Sequence, residues 1–134
     1  MATLLCHITI NAGKEQEFEA VMREMYRRTH AEEPDCLRYE YFRAAQENKY
    51  YCLLSFSDRH AFLQHQVSDY HEGYDFAAMI ASLDMEWIDP VGGASPLGPT
   101  ELDPLPGDID DRIKTAADMY VLAVQSWWQR HREA

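Results

Sequence analysis

Hydrophobic positions change period along this chain, and each change marks an element. Leu4, Cys6, Ile8 and Ile10 alternate with Leu5, His7 and Thr9, the two-residue repeat of a strand with two distinct faces. Asn11-Ala12-Gly13 interrupts the repeat. From Lys14 the spacing lengthens, and Phe18, Val21, Met22, Met25 and Thr29 recur at three- and four-residue steps, the stripe of an amphipathic helix. Pro34 ends this helix, because the residue before a proline is pushed out of helical geometry. Two aromatic-rich strands follow at Cys36–Arg43 and Tyr50–Phe56, joined by the polar turn Ala45-Gln46-Glu47-Asn48. Asp58 is an N-cap for a short helix from Arg59 to Gln66. Ser68 or Asp69 can cap the next helix, about Tyr70–Ser82. Met85–Val91 reads as the last strand, with Pro90 placing its end at an edge or terminus.

The order is β-α-β-β-α-β with the second helix broken in two, which predicts an α+β, ferredoxin-like sandwich: one antiparallel four-stranded sheet with helices on a single face. The other face is too apolar for water. Leu5 and Leu53 belong to it, and simple alternation adds Leu37, Tyr39 and Tyr41. Pairing of two such faces in a homodimer is the economical cover. The ferredoxin-like unit therefore occupies residues 1–91. Residues 92–107, rich in proline and glycine, form a linker over the surface. Residues 108–134 carry an extra C-terminal amphipathic helix, expected over Asp108–His131. Asp108 caps it, Asp110 and Asp111 stand in its first turn, and Arg130, His131 and Arg132 in its last, which suits the helix dipole. Its stripe of Ile109, Ile113, Ala116, Ala117, Tyr120, Val124 and Trp127 must dock somewhere. The linker is long enough to carry it across a subunit boundary, and packing on its own chain is the alternative.

Composition narrows the function. A chain of 134 residues is expected to form one folded domain with a short appendage. Its apolar runs are far shorter than the roughly 20 residues that span a bilayer. The opening Met-Ala-Thr-Leu-Leu-Cys has neither the basic region nor the cleavage site of a signal peptide, so a cytoplasmic protein without membrane attachment is expected. A formal net charge of −11 argues against nucleic acid, which needs a concentrated basic surface. Arg23, Arg27 and Arg28 share their helix with Glu15, Glu17, Glu19 and Glu24. Cys6, Cys36 and Cys52 show no metal-ligand spacing and are expected as free, buried thiols.

Three further segments carry a resemblance. They are Gly13-Lys14-Glu15 with Phe18 opening the first helix, Glu33-Pro34 through Cys36-Leu37-Arg38-Tyr39-Glu40 entering the second strand, and the run from Ala61 through His65 to Ser68. In that order they resemble the antibiotic biosynthesis monooxygenase superfamily over residues 1–91. The resemblance implies a dimeric α/β barrel built from the ferredoxin-like unit. Members of the superfamily include cofactor-free quinol or phenol oxygenases, haem-degrading enzymes, an isomerase and proteins with no established activity. Where the haem-degrading branch has an Asn, a Trp and an axial His, this chain has Cys6, Phe56 and Asp75, so haem degradation is not expected. Two more departures stand out. Leu54 replaces a carboxylate usual two residues before the third-strand aromatic, and the common H-x4-H-[F/Y] pattern becomes His65-x4-Tyr70-His71.

The candidate chemistry lies where the two short helices meet. His65 ends one, and Tyr70 and His71 open the next. Imidazole, which titrates near neutrality, is the natural base for a phenol or enol. His65, His71, Tyr70 and Tyr74 are therefore the candidate catalytic residues. Cys6, Tyr51, Phe56, Phe62, Met79 and Trp87 are the expected pocket, with Tyr51 as a further hydrogen-bond donor. His60, His65 and His71 lack the i, i+4 spacing of a helical metal site, and no metal site is assigned. The leading expectation is a homodimeric monooxygenase that needs no cofactor, oxidises a small aromatic or quinol-type ligand with O2, and uses a histidine as base. The alternatives are a non-catalytic small-molecule-binding or dimerisation module and a non-redox isomerase.

Overall fold

A computed structural model describes residues 1–132. Its elements are β1 (Ala2–Ile10), α1 (Glu15–Glu32), β2 (Cys36–Arg43), β3 (Lys49–Phe56), α2 (Arg59–Gln66), α3 (Asp69–Glu72), α4 (Phe76–Met79), β4 (Ile80–Trp87), α5 (Asp111–Met119) and α6 (Ser126–Arg132). The four strands form one antiparallel sheet in the order β2-β3-β1-β4. This is the expected α+β, ferredoxin-like arrangement. Among the described residues no helix is long and apolar enough to cross a membrane.

Local chemistry sets the joints. Gly13 takes φ +84° in the turn that delivers the chain from β1 to α1, a conformation glycine adopts without strain. Asn48 takes φ +66° in the β2–β3 hairpin, where asparagine is tolerated better than most residues. The Asp58 side chain accepts a 2.7 Å hydrogen bond from the Ala61 amide and starts α2. The buried stripe Phe18, Met22, Met25 and Thr29 of α1 packs over Leu4, Cys6, Ile8 and Ile10 of β1, and the whole forms one core. Burying each of the Phe, Met, Leu and Ile side chains among these is worth roughly 1.5–3 kcal/mol.

The third structural stretch differs from the pattern. The helix expected at Tyr70–Ser82 is two single turns separated at Gly73, with Asp75 capping the second through the Ala78 amide at 3.3 Å. β4 then begins at Ile80, five residues before the expected Met85. It pairs with β1 along its whole length, Ile10 opposite Ile80, Ile8 opposite Leu83 and Leu4 opposite Trp87. Ladder pairing to a central strand outweighs the local helical spacing.

A second difference concerns faces. The ladder between β2 and β3 slips between Cys36 and Arg38, so that Leu37 is an extra residue. A bulge reverses the alternation on one side of itself. Tyr39 and Tyr41 therefore face the helices instead of the open side, and Tyr39 is fully buried. The open face carries Leu5, His7 and Thr9 of β1, Tyr51 and Leu53 of β3, and Glu40 and Phe42 of β2, as their register with one another requires.

The C-terminal segment also departs from a single helix. α5 and α6 are separated by a stretch without regular secondary structure from Val121 to Gln125, and the buried tryptophan is Trp128, while Trp127 is 57% exposed. The segment packs on its own chain. α5 lies against α2, Arg112 donates to the Val67 carbonyl, and the Trp87 indole donates to the Val121 carbonyl at 3.1 Å. Arg132 closes the chain onto Asp89 at 2.7 Å, Glu101 at 2.9 Å and the Thr100 carbonyl at 2.7 Å.

Candidate active site

Helices α1, α2 and α3 lean over the sheet and leave a cavity of about 180 Å³ between the layers. Its floor is sheet: Cys6 and Ile8 from β1, Tyr39 and Tyr41 from β2, Cys52 and Leu54 from β3. Its roof is Phe18, Met22 and Met25 of α1. One side carries His65 and His71, and the opening is bordered by Phe76, Ile80, Leu83 and Met85, with Tyr120 arriving from the end of α5.

His65 is a polar group held inside the protein on several sides. It is 1% exposed, placed by the last turn of α2 and packed against Tyr39 at 5.1 Å and Phe56 at 5.4 Å between ring centroids. Its Nδ1 meets both carboxylate oxygens of Glu33, at 2.9 Å and 3.1 Å. Glu33 is the C-cap of α1, set down beside α2 because Pro34 forces the chain out of the helix there. A carboxylate accepts only, so Nδ1 must donate, and in the neutral ring the lone pair then lies on Nε2, at the opposite edge.

His71 stands 5.1 Å from His65 between ring centroids and 5.3 Å from Phe76. Burial, with the neighbouring His65 as the lesser cause, pushes its pKa down from 6.5 to about 4. It is therefore a neutral imidazole at physiological pH, able to donate or accept one hydrogen bond. The interchange of Tyr70 and His71 relative to the common pattern still brings a histidine to the cavity.

The other predicted residues divide. Cys6 lines the cavity, and Phe56 backs His65. Phe62 and Trp87 pack on each other at 5.1 Å, behind the cavity wall, and Met79 is a buried core residue. Tyr70 is turned away: its hydroxyl lies 3.0 Å from Thr29 Oγ1 and the Arg28 guanidinium covers its ring at 4.6 Å. Tyr74 packs beside Phe76 at 6.0 Å. Tyr51 lies on the opposite face of the sheet, edge-on to His7 and 40% exposed, so it is not a pocket residue.

Sequence reasoning missed Glu33 as a partner of His65, the Tyr39–Tyr41 pair, whose hydroxyls are 2.6 Å apart, and Tyr120. The Glu33-Pro34 step was the available signal for the first. Burial holds all three cysteines in the thiol form, including Cys6 and Cys52, which flank the cavity. It raises Cys6 and Cys36 to about 12, and Cys52 well above its ordinary value. Among the described residues no group of three His, Cys, Asp or Glu could hold a metal ion. Larger grooves lie elsewhere. One of about 580 Å³ runs between α1 and β2, but its buried-edge carboxylate, Glu19, is committed to Arg43 and Tyr50, which hold it down to about 2.

Comparison with known proteins agrees with this architecture. No curated protein matches the chain in sequence. Among solved structures, a monooxygenase-like protein of Caulobacter crescentus is 26% identical, with a TM-score of 0.62 over 67% of this chain and 89% of its own. A Mycobacterium tuberculosis protein is 16% identical, with a TM-score of 0.63 over 70% of this chain and 98% of its own. A Pseudomonas aeruginosa protein is 20% identical, with a TM-score of 0.59 over 65% and 90%. The model of the antibiotic biosynthesis monooxygenase family matches residues 1–74, a span that includes β1 to α3 with Glu33, His65 and His71, and the chain belongs to that family.

Proposed function

We propose that this protein is a cofactor-independent monooxygenase that oxidises a small phenol or quinol with O2, as a homodimer. The observation that carries the reading is the Glu33–His65 pair, held at 2.9 Å at the wall of an apolar cavity. Family membership supports it.

The chemistry asks little of the protein. His65 Nε2 takes the proton of the substrate hydroxyl, and the Glu33 carboxylate beside Nδ1 stabilises the imidazolium that forms. The phenolate is electron-rich enough to reduce O2 itself. With a free para carbon, one oxygen atom bonds there as a hydroperoxide. Loss of water then leaves the para-quinone, so that phenol and O2 give quinone and H2O. A quinol, whose para carbon already carries a hydroxyl, takes O2 at a free ortho carbon in the same way and gives hydroxyquinone and H2O. Neutral His71 is placed to donate a hydrogen bond to the developing anion or to the reduced oxygen. The apolar floor and roof keep bulk water from the anion, which strengthens both contacts.

The direct test is oxygen consumption with a panel of phenols and quinols under an oxygen electrode. Uptake that disappears in a His65→Ala, His71→Ala double variant is the expected result. The reading fails when no substrate supports uptake, or when the double variant keeps the wild-type rate. Two imidazoles 5.1 Å apart on one wall also suit proton transfer between two carbons. Turnover of an enolisable carbonyl compound without oxygen uptake would favour this second, isomerase reading.

A further inference from the structure

The C-terminal segment, outside residues 1–74 that match the family, contributes one side chain to the cavity. Tyr120 is the C-cap of α5 and lines the cavity together with His65, His71, Leu83 and Met85. It is held from three sides. Its ring meets Phe62 edge-on at 5.6 Å. The carbonyl of the next residue, Val121, accepts from the Trp87 indole at 3.1 Å. The helix that presents it is tied to α2 and α3 through Arg112, which reaches the Val67 carbonyl and Glu72.

The cavity is small. An apolar cavity of about 150 Å³ takes up benzene, whereas pockets for larger ligands run roughly 300–1,000 Å³. At about 180 Å³ this one has room for a single substituted ring. Most of its walls cannot retreat. Phe18, Met25 and Tyr39 are almost fully buried, and the floor is the backbone ladder itself. Interiors packed at this density resist insertion of extra atoms. Tyr120 is different: it is half-buried and belongs to an appendage that packs on the sheet-and-helix unit from outside. Leu83, 48% exposed, marks the mouth beside it.

Resting on the monooxygenase reading above, we propose that Tyr120 fixes the substrate class of the site as a single-ring phenol or hydroquinone and shuts out fused-ring systems. Removing its ring leaves the space of one further aromatic ring on the wall that this external segment supplies.

The test uses the full chain and separates binding from turnover. Affinities for methylhydroquinone and 1,4-dihydroxynaphthalene are measured by calorimetry under nitrogen, so that no oxidation occurs. Wild type is expected to prefer the one-ring compound at least tenfold. Tyr120→Ala should reduce that preference at least tenfold by admitting the two-ring compound, while Tyr120→Phe, equal in size, should keep it. Tyr120→Leu, which retains an apolar contact with Phe62, replaces the alanine variant should the latter unfold. Equal binding of both compounds by wild type overturns the proposal, as does an unchanged ratio in the shortened variants. No binding of either compound overturns it together with the reading on which it rests. Discrimination that depends on Tyr120 without oxygen uptake in air upholds the size limit and removes only the monooxygenase.

Discussion

Glu33 Oε2 lies 2.9 Å from His65 Nδ1 across a sequence gap of 32 residues, joining the end of α1 to the end of α2. The contact has two consequences that different substitutions separate. In Glu33→Gln an acceptor remains for the Nδ1 proton but the charge is gone, so the imidazolium formed during proton abstraction loses its stabilisation. Steady-state oxygen uptake should fall about 10- to 100-fold in kcat, part of the roughly 10²–10⁴ that a positioned base contributes, with KM little changed. In Glu33→Ala the buried N–H loses its acceptor, which costs about 1–3 kcal/mol, so this variant should also melt several degrees lower. Glu33 acts through His65, and a Gln variant with full kcat would remove that role.

His71 predicts a pH dependence of stability. Its pKa is near 4 in the folded chain and about 6.5 when unfolded. Between those values the unfolded state binds the extra proton, so stability rises with pH across this window and is lost as pH falls from about 6.5 towards 4. The full swing is about 3 kcal/mol. Melting curves from pH 4 to 7.5 should show this slope, and the difference between wild type and His71→Gln isolates it from the carboxylates. A wild-type profile that runs parallel to that of the variant would mean His71 is not desolvated.

The three thiols give a test of the core. With Cys6 and Cys36 raised to about 12 and Cys52 pushed well above its ordinary value by burial, almost none is thiolate at pH 8, and the thiolate is the reactive form. Native protein should resist iodoacetamide over hours, while protein in guanidinium should take up three equivalents, read by mass spectrometry. Fast alkylation of native Cys6 or Cys52 would contradict the packing of β1 against β3 beneath α1.

The fold was legible because its periodicities are clean. The alternation of Leu4 to Ile10, the stripe from Phe18 to Thr29, and Pro34 after them fix β1, α1 and the start of β2 within a residue or two. His65 and His71 were legible as a pair because each ends or opens a helix at the same joint. What failed had long-range causes. Tyr39 and Tyr41 changed face because of one bulged residue, Leu37, visible only once β2 is paired with β3. Ile80–Ser82 read as helix because the β1 ladder that claims them lies some seventy residues upstream. Tyr51, an apparent donor two residues from Leu53, falls on the outer face through the same period-two rule that places Cys52 inside. Tyr120 could not be foreseen, since no local pattern says where a helix beyond a linker docks.

The outer face leads to the last prediction. Leu5 and Leu53 are directly paired at its centre, His7 and Tyr51 beside them pack ring to ring at 5.5 Å, and Phe42 extends the patch from β2, 48% exposed. Water-facing sheet surfaces of this kind are covered in stable proteins, and large exposed apolar patches mark association sites. A homodimer with the two sheets face to face should therefore persist at micromolar concentration, with light scattering giving about twice the 15.6 kDa chain mass. Leu53→Asp places a charge opposite Leu5 at the centre of the patch and should shift the protein to monomer. His65 lies on the other side of the sheet, so the substitution should leave the Glu33–His65 contact intact. Because the centre of the patch is the apolar Leu5–Leu53 pair, dissociation should change little between 50 mM and 500 mM salt, whereas an interface held by charge pairing would weaken. A wild-type monomer at micromolar concentration, or a Leu53→Asp dimer of undiminished affinity, would show that this face is not the interface.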